Sequence, residues 1–109
     1  MRSTIIYLHR PTRTKNRIGE WISSIERVEV FAEIQSVSSS EFFNASQIGL
    51  APELRFTMFS GDYQGESVIE HDGQNYSVYR VYHNGDSVEL YCQRDAGTSA
   101  ADKPNENPS

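Results

Sequence analysis

The chain has 109 residues, 37% of them apolar, and a formal net charge of −5. That length fits one domain with its own core. A single cysteine, Cys92, excludes an intrachain disulfide framework and a cysteine-built zinc site.

No stretch approaches the ~20 apolar residues of a membrane-spanning helix. The run Ile5-Ile6-Tyr7-Leu8 is too short for the core of a signal peptide, so a soluble protein made in the cytoplasm is expected. The apolar content is modest, which fits either subunits that share burial with neighbours or a polar tail that dilutes the average. Charge is polarised. Residues 1–19 contain Arg2, Arg10, Arg13, Lys15 and Arg17 and no acid, and all 15 acids fall later. The stretch 10–17 reads either as a basic surface for an acidic neighbour, another copy included, or as a solvated hairpin loop.

In chain order, the β-branched and aromatic residues 3–9 predict a strand. Pro11 is expected to end it, because proline has no N–H for a ladder. Residues 10–17 then form a polar connection, and 18–22 a short strand. Residues 26–37 give the clearest strand. Val28, Val30, Ala32 and Ile34 share one face, and Glu29, Glu33 and Gln35 the other. Phe31 interrupts the polar face, as a partner contact or as packing under a loop. Ser38 and Glu41 have the spacing of a capping box, and Gly49 suits a helix end. Residues 39–48 therefore read as a short helix, marginal in isolation, carrying Phe42, Phe43 and Ile48.

The remainder reads as a meander. In residues 53–60, Leu54, Phe56 and Met58 alternate with Arg55, Thr57 and Phe59. Strands follow at 67–70, 76–83 and 87–93, with turns at Asp72-Gly73 and Asn84-Gly85-Asp86. The pattern predicts an all-β fold: a small antiparallel β-barrel of about six strands, with a short helix or helical loop inserted after the long second strand. Residues 1–94 form the barrel domain. Residues 95–109 lack large apolar side chains and read as a disordered polar tail.

No catalytic, metal or cofactor site is expected. His9, His71 and His83 show no metal-ligand spacing, Gly61 and Gly65 lack the lysine and helix of a phosphate loop, and no serine sits in a nucleophile elbow. Glu66, Glu70 and Asp72 lie close together, but acids at a hairpin edge commonly keep the edge soluble. Cys92 alternates with Val88 and Leu90 and reads as an inert buried thiol. One binding reading has substance. Tyr76, Arg80 and Tyr82 are expected to share a face, with Tyr79 and Tyr91 nearby, and small barrels bind single-stranded nucleic acid on such faces. The acidic balance argues against it, since phosphate binding needs a basic footprint.

Five segments in order resemble a known family. They are Val30-Phe31-Ala32-Glu33-Ile34, Ser40-Glu41-Phe42-Phe43-Asn44-Ala45, Ala51-Pro52-Glu53-Leu54-Arg55-Phe56, Tyr76-Ser77-Val78-Tyr79-Arg80, and Gly85-Asp86-Ser87-Val88-Glu89-Leu90-Tyr91-Cys92. Over about residues 3–94 the sequence resembles the head–tail joining proteins of tailed phages, also called head-completion, connector or stopper proteins, of siphophages infecting Gram-positive bacteria. Each segment alone is a weak signal; their order and spacing carry the resemblance. The basic stretch 10–17 and the tail after Asp95 follow no family pattern. The resemblance implies a structural virion protein at the head–tail interface, not an enzyme. It would form a hexameric or dodecameric ring of identical subunits, with a portal or adaptor protein above and a tail-completion or tail-tube protein below. Packaged double-stranded DNA would pass through without being read, and no membrane is involved. By order in the chain, the segment that closes the channel in such proteins maps to Ser38, Glu41, Phe42, Phe43, Asn44, Ile48 and Leu50. Arg10, Arg13, Lys15, Arg17 and Phe31 are the candidate inter-subunit contacts.

Overall fold

The computed structural model describes residues 2–95. The tail expected over 95–109 therefore lies outside the described residues, apart from Asp95. Six strands and one α-helix follow in the order β1 (Arg2–Lys15), β2 (Trp21–Ser36), α1 (Ser39–Ser46), β3 (Pro52–Phe59), β4 (Val68–His71), β5 (Gln74–Asn84) and β6 (Ser87–Arg94), with a 3₁₀ turn at Ser60–Asp62. All strand pairs are antiparallel, and they close a barrel in the order β1-β2-β3-β6-β5-β4. The expected six-strand barrel with one short helix after the second strand is the fold observed.

Alternation builds the core. Val30, Ala32 and Ile34 of β2 point inward and meet Ile6 and Leu8 of β1, Phe56 and Met58 of β3, Ile69 of β4, Tyr76 of β5, and Val88, Leu90 and Cys92 of β6. Phe56 is the largest fully buried side chain and meets Tyr76 edge-on at 6.0 Å between ring centroids. Two turns match the expected glycine chemistry. Asp72 and Gly73 both have positive φ, 53° and 78°, as a type I′ hairpin requires. At the β5–β6 turn Gly85 has φ 65° and Asp86 does not, the pattern of a type II′ turn.

The first hairpin departs from the sequence reading. β1 does not stop at Pro11; it runs to Lys15 and pairs with β2 from Arg2↔Ile34 to Lys15↔Trp21. The expected connection at 10–17 is therefore mostly strand, and the turn lies at residues 16–20. Asn16 makes that turn. Its N–H donates to the Glu20 carbonyl at 2.9 Å, and its Oδ1 accepts from the N–H groups of Ile18 and Glu20. Because 16/20 is a hydrogen-bonded pair, such pairs fall on even residues of β1. Pro11 is odd, so its ladder position calls for no N–H toward β2. Beyond Leu8 there is no β4 partner on its other side, and proline is at home on such an edge.

β1 pairs with β4 only at Tyr7 and Leu8, and β2 pairs with β3 only from Glu33 to Ser36. The ends of β1 and β2 that flank the turn therefore leave the barrel as a two-stranded ribbon. Every residue from 20 to 27 is exposed. At ~3.3 Å per residue, the stretch from Arg10 to Lys15 projects roughly 20 Å. This ribbon is called the arm below.

Candidate docking surfaces and the barrel seam

At the base of the arm sits the one buried charged side chain among the described residues. Glu66 is 3% exposed, in the loop leading into β4. Arg10 Nε donates to its Oε2, the Gln64 N–H donates to its Oε1 at 2.8 Å, and the Arg10 guanidinium also reaches the Asp62 carbonyl. The Tyr63 hydroxyl donates to the Glu66 carbonyl oxygen at 2.7 Å, and burial pushes that phenol up to about 12. Burial alone would raise the Glu66 carboxyl, but the bonds from Arg10 and the backbone outweigh it and hold it below its ordinary value.

A second cluster lies over the short β1–β4 seam. Arg27 donates twice to Glu70, at 2.9 and 3.1 Å, and His9 Nε2 donates to the same carboxylate at 3.0 Å. Those bonds lower the Glu70 carboxyl, and Arg27 also stacks 4.2 Å from the Tyr7 ring centroid. Side chains thus close the barrel where only two residue pairs of backbone ladder do. Glu66 and Glu70, expected to serve as soluble edge residues, are instead structural ion-pair partners.

The helix is two residues shorter than expected, ending at Ser46, with Gly49 at φ 85° just beyond. Ser38 caps it, accepting from the Glu41 N–H at 3.1 Å. Glu41 does not complete the capping box. Its carboxylate accepts from the Tyr79 hydroxyl at 2.7 Å and from Arg80 Nη2, and so ties α1 to β5. Burial would raise this carboxyl, but the two donors hold it below the ordinary range. Ala45 is the buried residue of the helix. Phe42, Phe43 and Ile48 are 51%, 64% and 77% exposed, so none packs in the core. Val37, Ser38, Ser39, Phe42, Phe43 and Ser46 border a hollow of about 600 Å³. Asn44 is exposed, and Leu50 is half-buried beside Tyr79 and Arg80.

Of the candidate inter-subunit residues, Arg10 is engaged with Glu66. Arg13 and Lys15 lie over the Trp21 ring, at 4.9 and 5.5 Å from its centroid, and Arg17 is exposed in the turn. Phe31 is 77% exposed and does not pack under a loop. The sequence reading missed Trp21, Ile22 and Ile25, exposed along the arm, and Phe59, exposed on β3. The available signal was the apolar content of residues 18–25 beside a basic stretch, without strict alternation.

The expected common face of Tyr76, Arg80 and Tyr82 does not form. A bulge between Val78 and Arg80 inserts Tyr79 and shifts the alternation. Tyr76 points into the core at 5% exposure, whereas Arg80 and Tyr82 point outward opposite Tyr91 and Glu89. Arg80 stacks 4.0 Å from the Tyr91 centroid and is already paired with Glu41. The three histidines lie apart: His9 on Glu70, His71 beside Thr4 and Phe56, and His83 exposed. Among the described residues no His, Cys, Asp and Glu group could hold a metal ion, and no helix is long and apolar enough to cross a membrane. Cys92 is fully buried, and burial pushes its thiol up to about 12. No family model matches the chain, and no curated protein is significantly similar to it.

The carboxyls of Glu41, Glu66 and Glu70 are all depressed in the fold, so their contribution to stability is full above the unfolded value and lost as pH falls through the folded ones. The thermal midpoint should hold level near neutrality and fall below about pH 4.5. Arg10→Ala leaves Glu66 buried without its cation. That variant should lose about 3–5 kcal/mol at pH 7, and its acid-side fall should be shallower. An unchanged acid slope in thermal melts would contradict the Arg10–Glu66 coupling.

Proposed function

We propose that the chain is a structural virion protein of a tailed phage: a head-closure subunit, one copy in a ring below the portal, through which packaged DNA passes. The observation that carries this reading is the placement of exposed apolar side chains in three separate regions. Ile18, Trp21, Ile22 and Ile25 lie on the arm, Phe31 and Phe59 on the barrel wall, and Phe42, Phe43 and Ile48 on and beside α1. Soluble monomers rarely leave extended apolar patches unpartnered. A ring subunit has a neighbour on each side and different proteins above and below, so it needs several such surfaces.

Three further features support the reading. The ordered sequence segments resemble the head–tail joining proteins. The barrel wall is acidic, with Glu29, Glu33, Glu53 and Asp86 exposed; such a surface repels phosphates and suits a conduit better than a clamp. The helix α1, which the resemblance assigns to channel closure, presents Phe42 and Phe43 outward on a frame held by a few polar bonds to β5. In this reading a portal or adaptor protein lies above, a tail-completion or tail-tube protein lies below, and the chemistry of the site is docking.

Electron microscopy of the purified protein mixed with its portal tests the assignment. A ring of added density on one face of the portal is expected. Failure to associate with portal or particle in any condition would overturn it. For α1, Phe42→Ala combined with Phe43→Ala should change the unfolding free energy by less than about 1 kcal/mol, since both rings are largely exposed. Filled heads carrying the double variant should retain less DNA than wild type. Equal retention would remove α1 from channel closure.

A further inference from the structure

The arm and the barrel wall carry complementary unpartnered surfaces. β2 and β3 stop pairing at Glu33↔Thr57; the same register continued would set Phe31 opposite Phe59. Instead the strands splay around a groove of about 440 Å³. Phe31, Met58 and Phe59 supply its apolar lining, Glu33, Asp62 and Asp86 its charges, and no basic residue lines it. The Ser60 N–H donates to the Asp86 carbonyl at 2.7 Å and so holds the two acidic turns together. Among the described residues, none of these three carboxylates is in an ion pair.

The arm is the inverse of that groove. Pairing places Pro11 with Ile25, Arg13 with Ser23 and Lys15 with Trp21, and these pairs alternate onto one face of the ribbon. That face is apolar and basic. Arg13, Lys15 and Arg17 have no ion-pair partner among the described residues. The two surfaces of one chain cannot meet. Trp21 stands ten residues from Phe31 along the same strand, roughly 33 Å at strand rise.

We infer that the arm of one copy docks into the Phe31–Phe59 groove of the next, seating Trp21 and Ile25 on the phenylalanines and Arg13 and Lys15 on Glu33, Asp62 and Asp86. The contact joins two different surfaces, so it is head-to-tail, and it closes a ring when the rotation between copies allows. The inference rests on the ring assembly proposed above and names the contact that builds it.

Cross-linking of the full chain by a short bis-maleimide tests it, with Ser23→Cys as the arm site and Ser87→Cys as the groove site. Cys92 stays silent because it is fully buried. A mixture of the two single variants should give one species, a 1:1 dimer. The chain carrying both substitutions should give a ladder of higher oligomers. Adding Arg13→Glu and Lys15→Glu to the arm variant should cut the dimer yield at least tenfold. No 1:1 dimer at the highest concentration reached, or arm-to-arm dimers as the main product, would overturn the contact. A dye on Ser23→Cys that responds to double-stranded DNA or anionic vesicles, but not to self-concentration, would overturn it too. Rings on the portal without the arm-to-groove product remove this contact and leave the ring; the product without portal binding does the reverse.

Discussion

Glu66 carries a carboxylate into the base of the barrel, and Arg10 is what keeps that charge tolerable. An isolated buried carboxylate costs several kcal/mol; here a guanidinium and a backbone N–H satisfy both oxygens. Arg10 also marks the place where β1 leaves the barrel, two residues beyond the end of its β4 pairing. The ion pair therefore pins the loop before β4 to the root of the arm. With Arg27 and His9 on Glu70, it closes a seam that backbone hydrogen bonds alone close poorly.

That construction separates two jobs. Inside, the apolar residues of six strands meet around Phe56. Outside, the arm, the groove and α1 carry apolar side chains that the fold itself does not bury. The charge follows the same division. Residues 10–27 hold five basic residues and two acids, while the barrel residues 28–95 hold three basic residues and eleven acids. In the assembly proposed above, such a division would favour contact between copies in one orientation over others.

Much of the fold was legible because local signals agreed with it. The alternation around Val30, Ala32 and Ile34, the Asp72-Gly73 turn and the Ser38 cap each follow from neighbouring residues, and each is observed. The failures share a cause: partners distant in sequence or a shift in register. Pro11 reads as a stop until the pairing of Asn16 with Glu20 places it where no N–H is needed. One extra residue, Tyr79, turns Tyr76 inward and leaves Arg80 and Tyr82 outside. Arg10 and Glu66 lie 56 residues apart, and nothing local pairs them. Glu41 shows the limit within a motif: the capping spacing located the helix start, but its carboxylate serves β5 rather than the cap. The exposed apolar and basic surfaces were half legible. The basic residues and Phe31 stood out by type, whereas Trp21, Ile25 and Phe59 gain meaning only from exposure.

The barrel core draws on no residue of the arm, and the contact proposed for the arm is with a neighbour. Removing residues 11–14 together with 22–25 shortens the arm by four residue pairs, keeps every remaining side chain on its own face, and leaves Arg10, Arg27 and both seam carboxylates in place. The unfolding free energy of that shortened chain in urea is the direct measurement. It should match the full-length value within about 1 kcal/mol, since surface elements contribute little to a core they do not touch. A loss of several kcal/mol would contradict this and show that the arm is part of the fold.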